Sequence, residues 1–262
     1  DTNELISLVL KQLNYHFNLQ NVLTQDFDSL KRSLLNLVTP EFRMPLANVA
    51  HYSEQLAEGI DNIETDADLK ASLQGIQASS IGLTQLVEDI ISLAELETGE
   101  AATVYQLQAQ PIFNLDFAVE EGAKQAQSVL SRYGSEVVVH CDDNLPAVFG
   151  VNSLLSESVQ RLIEAGIRMQ QTAQTVEVKT TAVSDQVEIA VCLSRPLNEA
   201  QVETINKLFR ENKAGQFDPS SYDPGLRIAE GSVRLHNGRL QLQSTADNGA
   251  IFTIQLPLYK AP

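Results

Sequence analysis

The sequence predicts an α+β protein. A coiled-coil helix and a helical hairpin dimerise into a four-helix bundle, and an α/β sandwich follows. Three observations carry this. From Asp1 to Val38 there is neither Pro nor Gly, and Ile6, Val9, Leu13, Leu23, Phe27, Leu30, Leu34 and Leu37 mark a stripe spaced by threes and fours. After Thr65 and Asp66 a second stripe runs through Leu69, Leu73, Ile76, Leu83, Leu86, Val87, Ile90 and Leu93. Beyond Gly99 the apolar period shortens to two in several short runs, with helical patterns between them.

The first stripe reads as a connecting coiled-coil helix over 1–35. His16 and Gln20 fall on its seam, where polar residues set register. Residues 36–100 read as the hairpin. Pro40 and Pro45 lie inside continuing helical pattern, and Pro40 is positioned to kink or hinge the first helix. The second helix ends near Gly99, a glycine C-cap. Two amphipathic helices cannot bury both apolar faces alone, so pairing of two hairpins predicts a homodimer. Residues 101–262 read as one α/β layer domain. Its strands are expected at Thr103–Leu107, Glu136–His140, Val176–Thr180, Val187–Cys192, Arg239–Gln243 and Ile251–Leu256. Its helices are expected at Leu115–Arg132, Ser153–Met169, Glu199–Glu211 and Leu226–Leu235, and Lys213–Pro224 reads as a loop.

Composition narrows the function classes. With 18 basic and 34 acidic residues the net charge is -16, which argues against nucleic acid and anionic membrane surfaces, both bound through Lys and Arg. No run of about 18 apolar residues exists to span a membrane. Cys141 and Cys192 lie in strand patterns with no metal-ligand spacing, so they read as buried free thiols in the cytoplasm, with a disulfide left open. The chain opens at Asp1 within helical pattern, so an upstream domain is expected.

Thr39-Pro40-Glu41-Phe42-Arg43-Met44-Pro45-Leu46 resembles the Ser-His-Glu-Leu-Arg-Thr-Pro-Leu motif of bacterial sensor histidine kinases, matching at Glu41, Arg43, Pro45 and Leu46. The resemblance continues in order over about 30–259. It implies a dimerisation and histidine-phosphotransfer hairpin joined to an ATP-binding domain of the Bergerat (GHKL) type.

The chemical positions of the family differ. Pro40 stands where the phosphoaccepting His would be, and proline offers no nucleophile. Val151 stands at the Asp that follows the family's strand and glycine. Arg161 and Ala165 stand at the two Asn of the box that helps hold Mg²⁺, and neither offers an amide oxygen. Leu193, Arg195 and Leu197 occupy Asp-x-Gly-x-Gly, and Leu193 cannot accept a hydrogen bond from adenine. Asp223 and Gly225 fall in the last glycine motif, where one glycine of three is retained and Asp223 adds negative charge.

The resemblance therefore implies a pseudokinase: no cofactor, no metal and no phosphotransfer, but a dimeric scaffold that binds a response-regulator receiver domain or another kinase. Alternatives from other classes are an output relay driven through the coiled coil, a nucleotide- or small-ligand switch in the old pocket with Arg161 and Arg195 holding an anion, and a noncanonical kinase using His51 as a displaced acceptor. His51 lies three helical turns beyond Pro40.

Overall fold

The structure, a computed structural model, describes residues 45–53, 56, 66–142, 144–210 and 223–260. The chain divides between Thr98 and Gly99 into a helical unit and an α/β unit. Most of the expected coiled coil and hairpin start, Asp1 to Met44 with Pro40, Glu41 and Arg43, lies outside the described residues.

In the helical unit, helix α1 covers residues 45–53 and helix α2 covers Asp66–Thr98. At 1.5 Å per residue, α2 is about 50 Å long. It holds no proline. Gly99 ends it with φ of 78°, the left-handed conformation that glycine adopts without strain. The two helices meet at Tyr52 and Gly75. A Cβ at Gly75 would lie 2.4–2.6 Å from three atoms of the Tyr52 ring, so only glycine lets the ring rest against the α2 backbone. Leu69, Leu73 and Val87 fall on the 3/4-spaced stripe of α2 and are exposed within a single chain.

The α/β unit contains α3 (Glu100–Gln108), β1 (Gln110–Ile112), α4 (Leu115–Arg132), β2 (Glu136–Cys141), β3 (Val148–Gly150) and α5 (Asn152–Gln170). These are followed by β4 (Thr175–Val183), β5 (Gln186–Leu193), α6 (Glu199–Arg210), α7 (Pro224–Leu235), β6 (Arg239–Thr245) and β7 (Gly249–Pro257). Five strands form one sheet in the order β2-β4-β5-β7-β6, with only β2 and β4 parallel; β1 and β3 form a separate antiparallel pair. Alternation decides which face is covered. Val187, Ile189, Val191 and Leu193 of β5 and Ala250, Phe252, Ile254 and Leu256 of β7 are all buried. The register sets Val191 beside Phe252 and Ile189 beside Ile254. Buried residues of α4, α5 and α7 complete the same core. Between these core positions the strands carry polar residues such as Glu188, Thr253 and Gln255, so the helices form one layer and the sheet the other.

One expected element is corrected. Thr103–Leu107 is not a strand but part of α3. Its alternation misleads because Leu107 is 82% exposed, whereas Ala101 and Tyr105, four residues apart on one helical face, make the inward contacts. The strand role falls to β1, whose Pro111 pairs with Phe149. The cysteines are free and half-buried rather than fully buried. Cys141 ends β2 and Cys192 lies in β5, with β4 between them. Two inter-strand spacings are about 9.6 Å, beyond disulfide reach. Burial pushes the Cys141 thiol up to about 11; a Thr180 hydrogen bond opposes this and Asp116 adds to it.

Candidate functional site

The ATP-pocket positions picked out in the sequence lie on α5, at the start of α7 and at the end of β5. Leu193 closes the end of β5. Its side chain packs on Gly166 of α5, where a Cβ would lie 2.7 Å from a Leu193 methyl. Ala165 beside it is fully buried. Gly225, at the start of α7, faces Arg161 of α5: a Cβ there would meet Arg161 Cβ and Cδ at 3.4 Å. The stem of Arg161 thus fills the space between the two helices.

Charge runs along this seam in a chain of bonds. The Arg161 guanidinium donates to Glu157 Oε1 at 3.2 Å, and Gln160 Nε2 donates to Glu164 Oε1 at 2.9 Å. Arg168 reaches back to Glu164 Oε2 at 3.4 Å. It also grips Asp223 with two bonds, Nε to Oδ2 at 2.6 Å and Nη2 to Oδ1 at 3.1 Å. Asp223 caps α7 by accepting from the Gly225 N–H at 2.8 Å, with Pro224 at the first helical position. A carboxylate therefore already answers the positive end of α7. Among the described residues, Glu157, Glu164 and Asp223 thus each accept from a guanidinium of Arg161 or Arg168 along this seam.

The remaining candidates are placed apart from that chain. Val151 is buried in extended conformation just before α5. Arg195 is exposed after β5 and its carbonyl accepts from Gln170. Leu197 is half-buried, packs against the core, and exchanges backbone bonds with the Ser244 hydroxyl. Arg161 is buried against Glu157, while Arg195 faces solvent. Pro45 begins the described part of α1, and His51 is exposed there with its ring 5.6 Å from that of Tyr52.

Two features were missed in the sequence. The Arg168–Asp223 bond joins residues 55 apart, though the spacing of Glu164 and Arg168 by four was a visible signal. The other is His236, at the C-terminal end of α7. Its Nε2 accepts from the Val151 N–H at 3.0 Å, and its Nδ1 lies 2.7 Å from the Ser232 carbonyl. These bonds require the neutral ring protonated on Nδ1. Burial holds its pKa below the usual histidine range, against the pull of the Ser232 carbonyl. The ring also meets Tyr105 edge-on at 4.9 Å, tying α3, the start of α5 and the end of α7 together.

No family model matches the chain. It is 25% identical over 243 residues to sensor protein DivL of Caulobacter vibrioides, covering 90% of this chain and 29% of DivL. It is 21% identical over 257 residues to the histidine protein kinase SaeS of Staphylococcus aureus strain USA300, covering 94% of this chain and 71% of SaeS. Its homologues are sensor histidine kinases. Among solved structures, Acinetobacter baumannii histidine kinase AdeS matches with a TM-score of 0.56 at 18% identity, over 84% of this chain and 98% of that one. Histidine kinase ThkA, solved in complex with response regulator protein TrrA, matches with a TM-score of 0.59 at 16% identity, over 85% of this chain and 60% of that one. These likenesses establish the histidine-kinase core fold, including the five-stranded sheet with its helical layer. The chain spans about a third of the length of DivL and of the sensor-like histidine kinase ycf26 of Pyropia yezoensis. Among the described residues, no helix of this histidine-kinase core is long and apolar enough to cross a membrane.

Proposed function

We propose that this chain is a histidine-kinase-like scaffold. It dimerises through its hairpin and docks a receiver domain or a partner kinase, without binding ATP or passing phosphate. The observation that carries the reading is the Arg168–Asp223 bond. It places a fixed carboxylate at the N-terminus of α7 and engages the nearest guanidinium with both its oxygens. The residues at the family's motif positions support the loss of Mg-nucleotide binding. Arg161 and Ala165 bring no carboxyl or amide oxygen for the metal, and Leu193 presents an apolar side chain packed on Gly166. Pro40, in place of an acceptor imidazole, supports the same reading. The exposed stripe of α2 supports the dimer. ThkA held in a complex with a response regulator supports receiver docking.

A second reading, phosphoacceptance at His51, is favoured only by the exposure of that side chain on α1. One experiment addresses both. The purified chain is incubated with a panel of receiver domains and Mg-ATP labelled on the γ-phosphate, with and without an active histidine kinase as donor. The scaffold reading expects saturable binding to at least one receiver and no label on this chain. Label on the chain that is lost in His51→Ala would establish the second reading, and failure of every receiver to bind would remove receiver docking.

A further inference from the structure

A groove of about 560 Å³ opens at the β6 edge of the sheet, between α6 and α7. It is separate from the Arg161–Asp223 seam and has two properties that together specify a ligand. The first is charge. Arg210, Arg234 and Arg239 line the groove in a protein of net charge -16. Glu230 also lines it, but that carboxylate is engaged by Arg227 at 2.6 Å and by Arg234 at 3.2 Å. Arg210 and Arg239 are exposed and have no acidic partner among the described residues.

The second property is a free length of strand edge. Asn206 of α6 meets the β6 edge as another strand would: its amide nitrogen donates to the Leu242 carbonyl at 2.8 Å, and its amide oxygen accepts from the Leu242 N–H at 3.0 Å. Leu242 therefore turns its backbone groups away from β7. In an antiparallel pair this orientation repeats every second residue, so the N–H and C=O of Leu240 point outward too. Leu240 lines the groove. The groove thus offers one backbone donor, one backbone acceptor and flanking guanidiniums.

We propose that this groove binds an extended acidic segment of a partner protein, which adds to the β6 edge at Leu240 and places carboxylates on Arg210 and Arg239. Strand addition supplies the backbone pairing, and the guanidiniums select carboxylates by bidentate hydrogen bonding. The site goes beyond receiver docking by the hairpin and does not depend on it.

Fluorescence anisotropy tests this with the full chain and a fluorescein-labelled hexapeptide of alternating Glu and Val. Saturable binding is expected. It weakens at least about tenfold when Lys replaces Glu in the peptide, and similarly when Arg210→Glu and Arg239→Glu are combined, because each change replaces attraction with repulsion at two positions. N-methylation of the central peptide backbone weakens it as well, and Arg132→Glu, on the exposed end of α4, leaves it unchanged. Arg210→Lys with Arg239→Lys retains part of the binding, which separates lost charge from lost folding. Absence of saturable binding, binding indifferent to the double reversal, or binding indifferent to N-methylation and competed away by millimolar inorganic phosphate would each overturn the proposal. The last of these would reveal a simple anion site.

Discussion

A chain carrying Leu73→Glu and Val87→Glu is expected to sediment as a monomer where the unaltered chain sediments as a dimer. The two positions are 14 residues apart, two heptads, on the same line of α2. Their side chains are 53% and 45% exposed within one chain, so a single copy leaves their apolar surface in water. Burying such a side chain contributes about 1.5–3 kcal/mol, and a twofold dimer buries each of them twice. Four lost apolar contacts amount to roughly 6 kcal/mol at the low end, or about four orders of magnitude in dissociation constant. Glutamate is a good helix former, so the helix itself has no reason to unwind. Ile81→Glu is the internal control. Ile81 is as exposed, at 44%, but lies off that heptad line. It should leave the dimer in place. A double variant that still sediments as a dimer would show that α2 is not the interface.

Arg168→Ala is expected to destabilise the α/β unit by about 3 kcal/mol, read as a lower urea midpoint of that unit's transition. Arg168 serves two carboxylates at once, Glu164 and Asp223, whose side chains are 1% and 14% exposed. Removing the guanidinium strands two negative groups in a poorly solvated seam. The Arg168 side chain is itself 32% exposed, which holds the loss to the lower end for a buried pair. Adding Glu164→Gln to Arg168→Ala should recover about 1 kcal/mol, since it removes one stranded charge. A change under about 0.5 kcal/mol in the single variant would mark the bond as an ordinary surface pair and would weaken the case that it closes the site.

The fold was legible where period and punctuation agreed. Helix α4 starts at Leu115 and ends at Arg132 as its pattern predicts, and the strand runs around Val187, Ile189 and Val191 and around Phe252 and Ile254 announce β5 and β7 by alternation. Thr103–Leu107 failed because alternation over five residues also suits a helix, and the inward contacts of Tyr105 come from distant chain. The strand β1 was missed because three residues carry almost no period. In the site, the identities of Arg161, Ala165, Leu193 and Asp223 were readable, but what they touch was not. The i, i+4 spacing of Glu157 with Arg161 and Glu164 with Arg168 predicts helix-surface pairs. That Arg161 and Glu164 are buried, and that Asp223 closes the line, depends on how α7 packs on α5. His236 shows the same limit, since its partner Val151 lies 85 residues away.

Thermal unfolding of the full chain with and without about 1 mM Mg-ATP, run beside an active histidine kinase, reads whether the pocket between α5 and α7 takes nucleotide. A ligand at about 100 times its dissociation constant stabilises by about 2.7 kcal/mol, which raises the midpoint of a unit this size by roughly 5–10 °C. The active kinase should show such a shift and this chain none. A saturable rise of several degrees in this chain would overturn the scaffold reading, because it would mean that nucleotide displaces Asp223 from the start of α7 and that the site is open.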